Sequence, residues 1–153
     1  MSGERISFDA NVLFYSVDRD AGEKRERAIE IIHRAALDLD CVLTAQALAE
    51  FFVATTRKGK MEPDEAAAQV EDWKTLFGAA PTTGQSLKRA IQIVRQHSIG
   101  FWDAMLWAAA REAGVTLLLS EDLQDGRELG GVRFSNPFVE GWEHAAAPPR
   151  ARR

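Results

Sequence analysis

Arg5 to Phe8 alternates polar and apolar positions, and Asp9-Ala10-Asn11 follows at once. The alternation predicts a first strand ending near Asp9, and the polar break predicts a helical start around Val12. Glu23 to Arg27 is a charged opening to a helix that ends near Leu39, with Ala28, Ile31, Ile32 and Ala35 on its apolar face. Cys41-Val42-Leu43 predicts a short second strand, and Thr44 is placed to cap a helix running to about Arg57. Lys58-Gly59-Lys60 breaks that helix, and Pro63 fits the first turn of the next, with Ala67, Val70, Trp73 and Leu76 at helical spacing. Phe77 to Pro81 reads as a weak third strand. Thr83 to Gln96 predicts a helix with Leu87, Ile91 and Val94 inward, and Phe101 to Ala113 a further helix closed by Gly114. Val115 to Leu119 is a nearly continuous apolar run of the kind buried on both faces in parallel sheets. A loop, Ser120 to Gly131, leads to a last short strand near Val132 to Phe134.

Strands that alternate with helices imply crossover connections, hence an α/β fold with a parallel sheet covered on both sides. The 153 residues match one domain, expected over 1–142, followed by a small, Pro-containing, basic tail over 143–153 that is expected to be poorly ordered. At 46% hydrophobic and 27% charged the composition argues against disorder of the whole chain. No apolar run approaches the roughly 20 residues that span a bilayer, and Met1 to Ile6 carries no apolar signal segment, so a cytoplasmic location is expected with no membrane partner. The single cysteine, Cys41, reads as a small core residue. A net charge of −4 argues against gripping nucleic acid by bulk electrostatics.

Three acids stand alone in uncharged stretches. Asp9 is the only charge from Ile6 to Val17, Glu50 the only one from Cys41 to Thr56, and Asp103 the only one from Ser98 to Ala110. Glu50 shares a helix face with Ala47, Val53 and Ala54, and Asp103 falls in the first turn of an apolar helix. A carboxylate on an apolar stripe costs several kcal/mol in desolvation unless neutralised, paired or bound to metal. For each acid alone there is a plainer role: a turn or cap for Asp9, an exposed helix face for Glu50, and backbone N–H groups at the helix start for Asp103. Asp9 is expected at the carboxyl end of one strand and Asp122 just beyond another, where open parallel sheets place their sites.

Carboxylates gathered in one crevice repel, and a divalent cation removes that penalty. Oxygen-only ligands favour Mg²⁺ or Mn²⁺ over zinc, and His33, His97 and His144 form no close pair on one helix face. Neither a Gly-rich phosphate loop nor a Gly-x-Ser-x-Gly elbow is present.

Four segments then carry a resemblance: Phe8-Asp9-Ala10-Asn11-Val12-Leu13, Leu48-Ala49-Glu50-Phe51, Gly100-Phe101-Trp102-Asp103-Ala104 and Leu119-Ser120-Glu121-Asp122-Leu123. In this order and spacing, with Gly126 and Asn136-Pro137-Phe138 as an ending, they resemble the PIN-domain family and, within it, the VapC-type toxins of bacterial toxin–antitoxin pairs. The resemblance implies a three-layer α/β/α sandwich around a mostly parallel sheet, and a metal-dependent endoribonuclease inhibited by a small antitoxin. It matches Asp9, Glu50 and Asp103 to the core acidic positions and Asp122 to a fourth, more variable one. Asn11 stands where many members have Thr or Ser, with a supporting polar role, and Ser120 matches a hydroxyl that orients Asp122 or the phosphate. It also suggests a homodimer.

Other readings stay open at this level. Asp125 is an extra acid or a solvated loop charge, and Trp102 stacks on a base or joins the core. Lys58, Lys60, Arg89, Arg95, Arg150, Arg152 and Arg153 guide a phosphate backbone or are merely solvated. A phosphotransferase with Asp9 as nucleophile wants a second acid where Asn11 stands. A non-catalytic protein with an acidic pocket for a basic partner is the alternative of a different class.

Overall fold

Ile6, Ser7 and Phe8 are all buried, so the strand that alternates in sequence is covered on both faces. The computed structural model describes residues 3–142, and the tail expected over 143–153 lies outside the described residues. The elements in order are β1 (Arg5–Phe8), α1 (Ala10–Val17), α2 (Glu23–Asp38), β2 (Asp40–Cys41), β3 (Leu43–Thr44), α3 (Ala45–Arg57) and α4 (Pro63–Phe77). There follow β4 (Ala79–Ala80), α5 (Gly84–Gln96), α6 (Phe101–Glu112), β5 (Leu117–Leu119), β6 (Glu128–Leu129) and β7 (Val132–Ser135).

The main sheet has the order β2-β1-β5-β7-β6, parallel except for β6, and helices flank it in the expected α/β/α arrangement. A second, two-stranded sheet pairs β3 with β4 in parallel. The predicted second strand is thus two short strands that belong to different sheets, with Val42 at the crossing. From β1 the chain moves through α1 and α2 to β2 on one side, and later returns to β5 on the other. The carboxyl ends of β1 and β5 therefore flank a topological switch point, where right-handed crossovers leave a crevice. The register Phe8↔Leu119 and the bond from Asp9 N–H to the Leu119 carbonyl (3.0 Å) bring the two strand ends together there.

The cap read from sequence at Thr44 holds, and Thr83, read from sequence as the first residue of a helix, is instead its cap. Thr44 accepts from the Ala47 N–H (3.0 Å) to start α3, and Thr83 and Ser86 form a reciprocal capping box on α5. The inward faces of two helices differ from expectation. In α4 the buried positions are Ala66, Trp73 and Phe77, while Leu76 is 55% exposed, because the two aromatics bury more area and set the rotation of the helix. In α5 Ser86 and Ala90 are buried and Leu87, Ile91 and Val94 are about two-fifths exposed; small side chains on the buried face let α5 lie close against α6. Cys41 is only partly buried, although its surroundings push the thiol pKa up by desolvation.

The β6–β7 hairpin turns on Gly130-Gly131, both at positive φ (55° and 85°), the two-residue primed turn that glycine permits. It also lies against α6: Trp107 Nε1 donates to the Leu129 carbonyl (2.9 Å), and a Cβ on Gly130 would stand 2.8 Å from the Trp107 ring. Gly130→Ala is therefore expected to destabilise the fold by about 1 to 3 kcal/mol, read as a lowered midpoint in urea unfolding.

Candidate active site

The loop after β1 turns directly into α1, and Asp9 is its N-cap. Its Oδ1 accepts from the backbone N–H groups of Asn11 (3.0 Å) and Val12 (3.4 Å), which satisfies two orphan donors of the helix start. Its Oδ2 accepts from the Ser120 hydroxyl, at the end of β5. Ser120 Oγ in turn accepts from the N–H groups of Asp122 (3.1 Å) and Leu123 (3.3 Å), so one hydroxyl locks Asp9 to the turn that carries Asp122. Asn11 Nδ2 donates to Asp122 Oδ2 (2.7 Å), a second tie between the two strand ends. The switch point thus holds Asp9, Asn11, Ser120 and Asp122 in one bonded network.

Asp103 and Glu50 approach from α6 and α3. Asp103 lies in the first turn of α6 after the N-cap Gly100, and a Cβ on that glycine would stand 3.7 Å from Asp103 Oδ2. Gln46 is a residue that sequence reasoning missed. Its Nε2 donates to Glu50 Oε1 (2.9 Å) and to the Trp102 carbonyl (2.9 Å), clipping α3 to the start of α6. Only its spacing of four from Glu50 pointed to it.

The electrostatics separate these acids into two kinds. Asp9 is only 6% exposed, and burial, with the Asp122 charge adding to it, pushes its pKa up to about 7 against the pull of its hydrogen bonds. Burial also raises the Asp103 pKa, followed by repulsion from Asp122 and from Glu50. Glu50 and Asp122 are exposed, so the desolvation argument that singled out Glu50 from its apolar neighbours does not hold for it; Val53 beside it is exposed as well. The repulsions run from Asp9 to Asp122, from Asp122 to Asp103 and from Asp103 to Glu50, a continuous chain of four carboxylates. Among the described residues none of the four makes an ion pair.

Donor chemistry fits a hard divalent cation: all oxygen, at least one acid desolvated, no compensating Lys or Arg. Among the described residues, however, no three such side chains are close enough as they stand to close round one ion. Asp9 is fixed by three hydrogen bonds, whereas Asp122 and Glu50 are exposed and each tethered by one side-chain amide, so they are the members placed to draw inward. Beside Asp103 and Asp122 lies a cavity of about 300 Å³, also lined by Ser98, Gln124 and Arg127. The guanidinium of Arg127 has no acceptor atom, so the 3.0 Å contact is its donation to His97 Nδ1, and it leaves the carboxylates unpaired.

The remaining candidates fall outside this cluster. Asp125 Oδ1 accepts from the Asn136 N–H (2.9 Å) and serves as a loop clasp. Glu121, next to Asp122, accepts from the Tyr15 hydroxyl (2.6 Å) and from Lys24 (2.5 Å), anchoring the Asp122 loop to α1 and α2. That anchor was also unread in the sequence, since its partners are about a hundred residues apart. Lys58 and Lys60 line a separate cleft with Arg19 and Arg25, and Lys60 is engaged by Asp18 and Asp20.

Comparison with known proteins places this geometry. The family model described as PIN domain matches residues 6–124. No curated protein sequence matches. Among solved structures, Mycobacterium tuberculosis VapC20, a Sarcin-Ricin loop cleaving toxin, superposes with a TM-score of 0.62 at 15% identity, over 76% of this chain and 91% of that one. A toxin–antitoxin complex from Klebsiella pneumoniae gives 0.63 at 15% identity, over 87% and 98%. DNA-bound VapBC from Salmonella typhimurium gives 0.63 at 16%, over 88% and 98%. At such identities the likeness is one of fold, and it joins the family match, which spans β1 through the Asp122 loop. The chain belongs to the PIN-domain family.

Proposed function

We propose that this chain is a divalent-metal-dependent endoribonuclease, the toxin of a toxin–antitoxin pair, with Asp9, Glu50, Asp103 and Asp122 as its catalytic acids. The single observation that carries the reading is the run of four neighbouring carboxylates at the switch point with no ion pair among the described residues. The solved structures of similar fold include toxin–antitoxin complexes and a Sarcin-Ricin loop cleaving toxin, which supports the choice of RNA as substrate and of a small antitoxin as partner.

Asp9 and Asp103 would hold the cation directly, with Asp122 completing its shell and Glu50 as a further ligand or the base for the water, and Mg²⁺ or Mn²⁺ suits the oxygen donors. When bound, the cation supplies positive charge to the phosphate and lowers the pKa of an attacking water. The chain's own residues do the rest. Ser120 and the α1 N–H groups hold Asp9 in one orientation, and Asn11 aims Asp122. Glu50, exposed at the rim and steadied by Gln46, is placed to take the proton from water as it attacks in line with the leaving 3′-oxygen. Each step needs the carboxylates ionised, and Asp9, whose proton burial retains up to about pH 7, would have to release it to hold the cation.

The test is incubation of the purified protein with end-labelled single-stranded RNA, with and without Mn²⁺. The expected result is discrete fragments that appear only with metal and vanish on chelation. Intact RNA under both conditions, from a folded sample, would remove the nuclease reading.

A further inference from the structure

We propose that Trp102 is a stacking platform that seats a nucleobase of single-stranded RNA beside the carboxylate cluster. The inference rests on the nuclease reading above. Trp102 is 67% exposed, in a fold that buries Trp73 and Trp107, so the sequence-level alternative of a core aromatic is excluded. It directly precedes Asp103, and its carbonyl shares the Gln46 amide nitrogen with the Glu50 carboxylate. The backbone under the ring is therefore tied to the cluster on both sides. Phe101, itself 36% exposed, packs edge-on against the Trp102 ring (centroids 5.1 Å apart, planes at 76°), which restrains the ring while leaving it largely in solvent.

Charge explains why a base is the fitting occupant. The chain carries −4 overall, and the cluster next to Trp102 is anionic, so a phosphate backbone gains little from bulk attraction here. Stacking is indifferent to that charge, tolerates any base and reaches only unpaired nucleotides. A platform one residue from Asp103 would fix the nucleotide next to the scissile phosphate and leave the reacting phosphate over the acids.

The experiment measures binding of a fluorescent single-stranded RNA by anisotropy in an Asp9→Asn background, which keeps the RNA uncut. Trp102→Ala is expected to weaken binding about tenfold, whereas Trp102→Phe stays within about threefold of the parent. A single abasic position in the RNA should produce the same loss, and that loss should not add to that of Trp102→Ala, the signature of a direct contact. In the active protein Trp102→Ala should raise KM far more than it lowers kcat. Unchanged affinity in Trp102→Ala overturns the proposal, as does a change of oligomeric state by light scattering with RNA affinity intact, which assigns the ring to a protein interface. If the parent cleaves RNA while Trp102→Ala binds normally, the platform alone falls. If cleavage is absent yet binding depends on Trp102 and on the base, the nuclease reading falls and the platform stands.

Discussion

Asp9→Asn and Asp103→Asn are each expected to lose metal-dependent RNA cleavage by about a hundredfold to ten-thousandfold while keeping the fold. The first substitution is the sharper case because the site it enters is so fully specified. Asparagine caps a helix as well as aspartate does, so the bonds from the Asn11 and Val12 N–H groups survive. What is removed is one anionic oxygen and the capacity to hold a cation. Asp103 makes no hydrogen bond or ion pair among the described residues, so its replacement costs the fold still less. Initial rates on labelled RNA, with circular dichroism as the check on folding, measure both. Full activity in either folded variant contradicts the assignment of that residue.

The second large effect is on stability. The Asp9 pKa rises from an ordinary 3.8 to about 7 on folding, first because the group is desolvated and then because Asp122 is near. A folded pKa above the unfolded one means that the native state holds the proton more tightly. The resulting contribution is fully present below about pH 4 and is lost as pH climbs through 7. Its size is on the order of 4 kcal/mol by linkage, a large share of the stability of a domain this size. The metal-free protein should therefore melt at a lower temperature at pH 8 than at pH 5, and Asp9→Asn should flatten that slope. Mn²⁺ should raise the melting temperature at pH 8 much more than at pH 5, since the ion replaces a proton already lost. Thermal scans at the two pH values, with and without Mn²⁺, test this. Equal slopes for the parent and Asp9→Asn would show that Asp9 ionises in the fold without penalty.

Much of this architecture is legible in the sequence, for local reasons. Strand β1, the cap at Thr44, and the apolar run ending at Leu119 depend on neighbours along the chain, and the structure keeps each of them. The faces of α4 and α5 are not legible in that way. Periodicity shows that Leu87, Ile91 and Val94 form a stripe, but which surface covers a stripe is settled by the packing of other elements, and here Ala90 wins the contact. Cys41-Val42-Leu43 likewise reads as one strand because nothing local says that two sheets share it.

The site shows the same division. A charge alone in an apolar run pointed to Asp9 for the right physical reason, since that carboxylate is buried, and to Asp103 for part of it. Glu50 was picked out by the same signal although its side chain is exposed, so its place in the cluster comes from α3 meeting α6 and not from desolvation. The Gln46 bond to Trp102, and the anchoring of Glu121 by Tyr15 and Lys24, are contacts across 56, 106 and 97 residues, which no spacing in one chain announces.

The most direct test of the central claim, that folding gathers these acids round a cation, is a crystal of the protein soaked in Mn²⁺ and measured at the manganese edge. An anomalous peak bounded by the carboxylates of Asp9, Asp103 and Asp122, with Asp122 or Glu50 drawn inward, is the predicted result. A well-ordered crystal with no peak there, or with manganese bound only elsewhere, would contradict it.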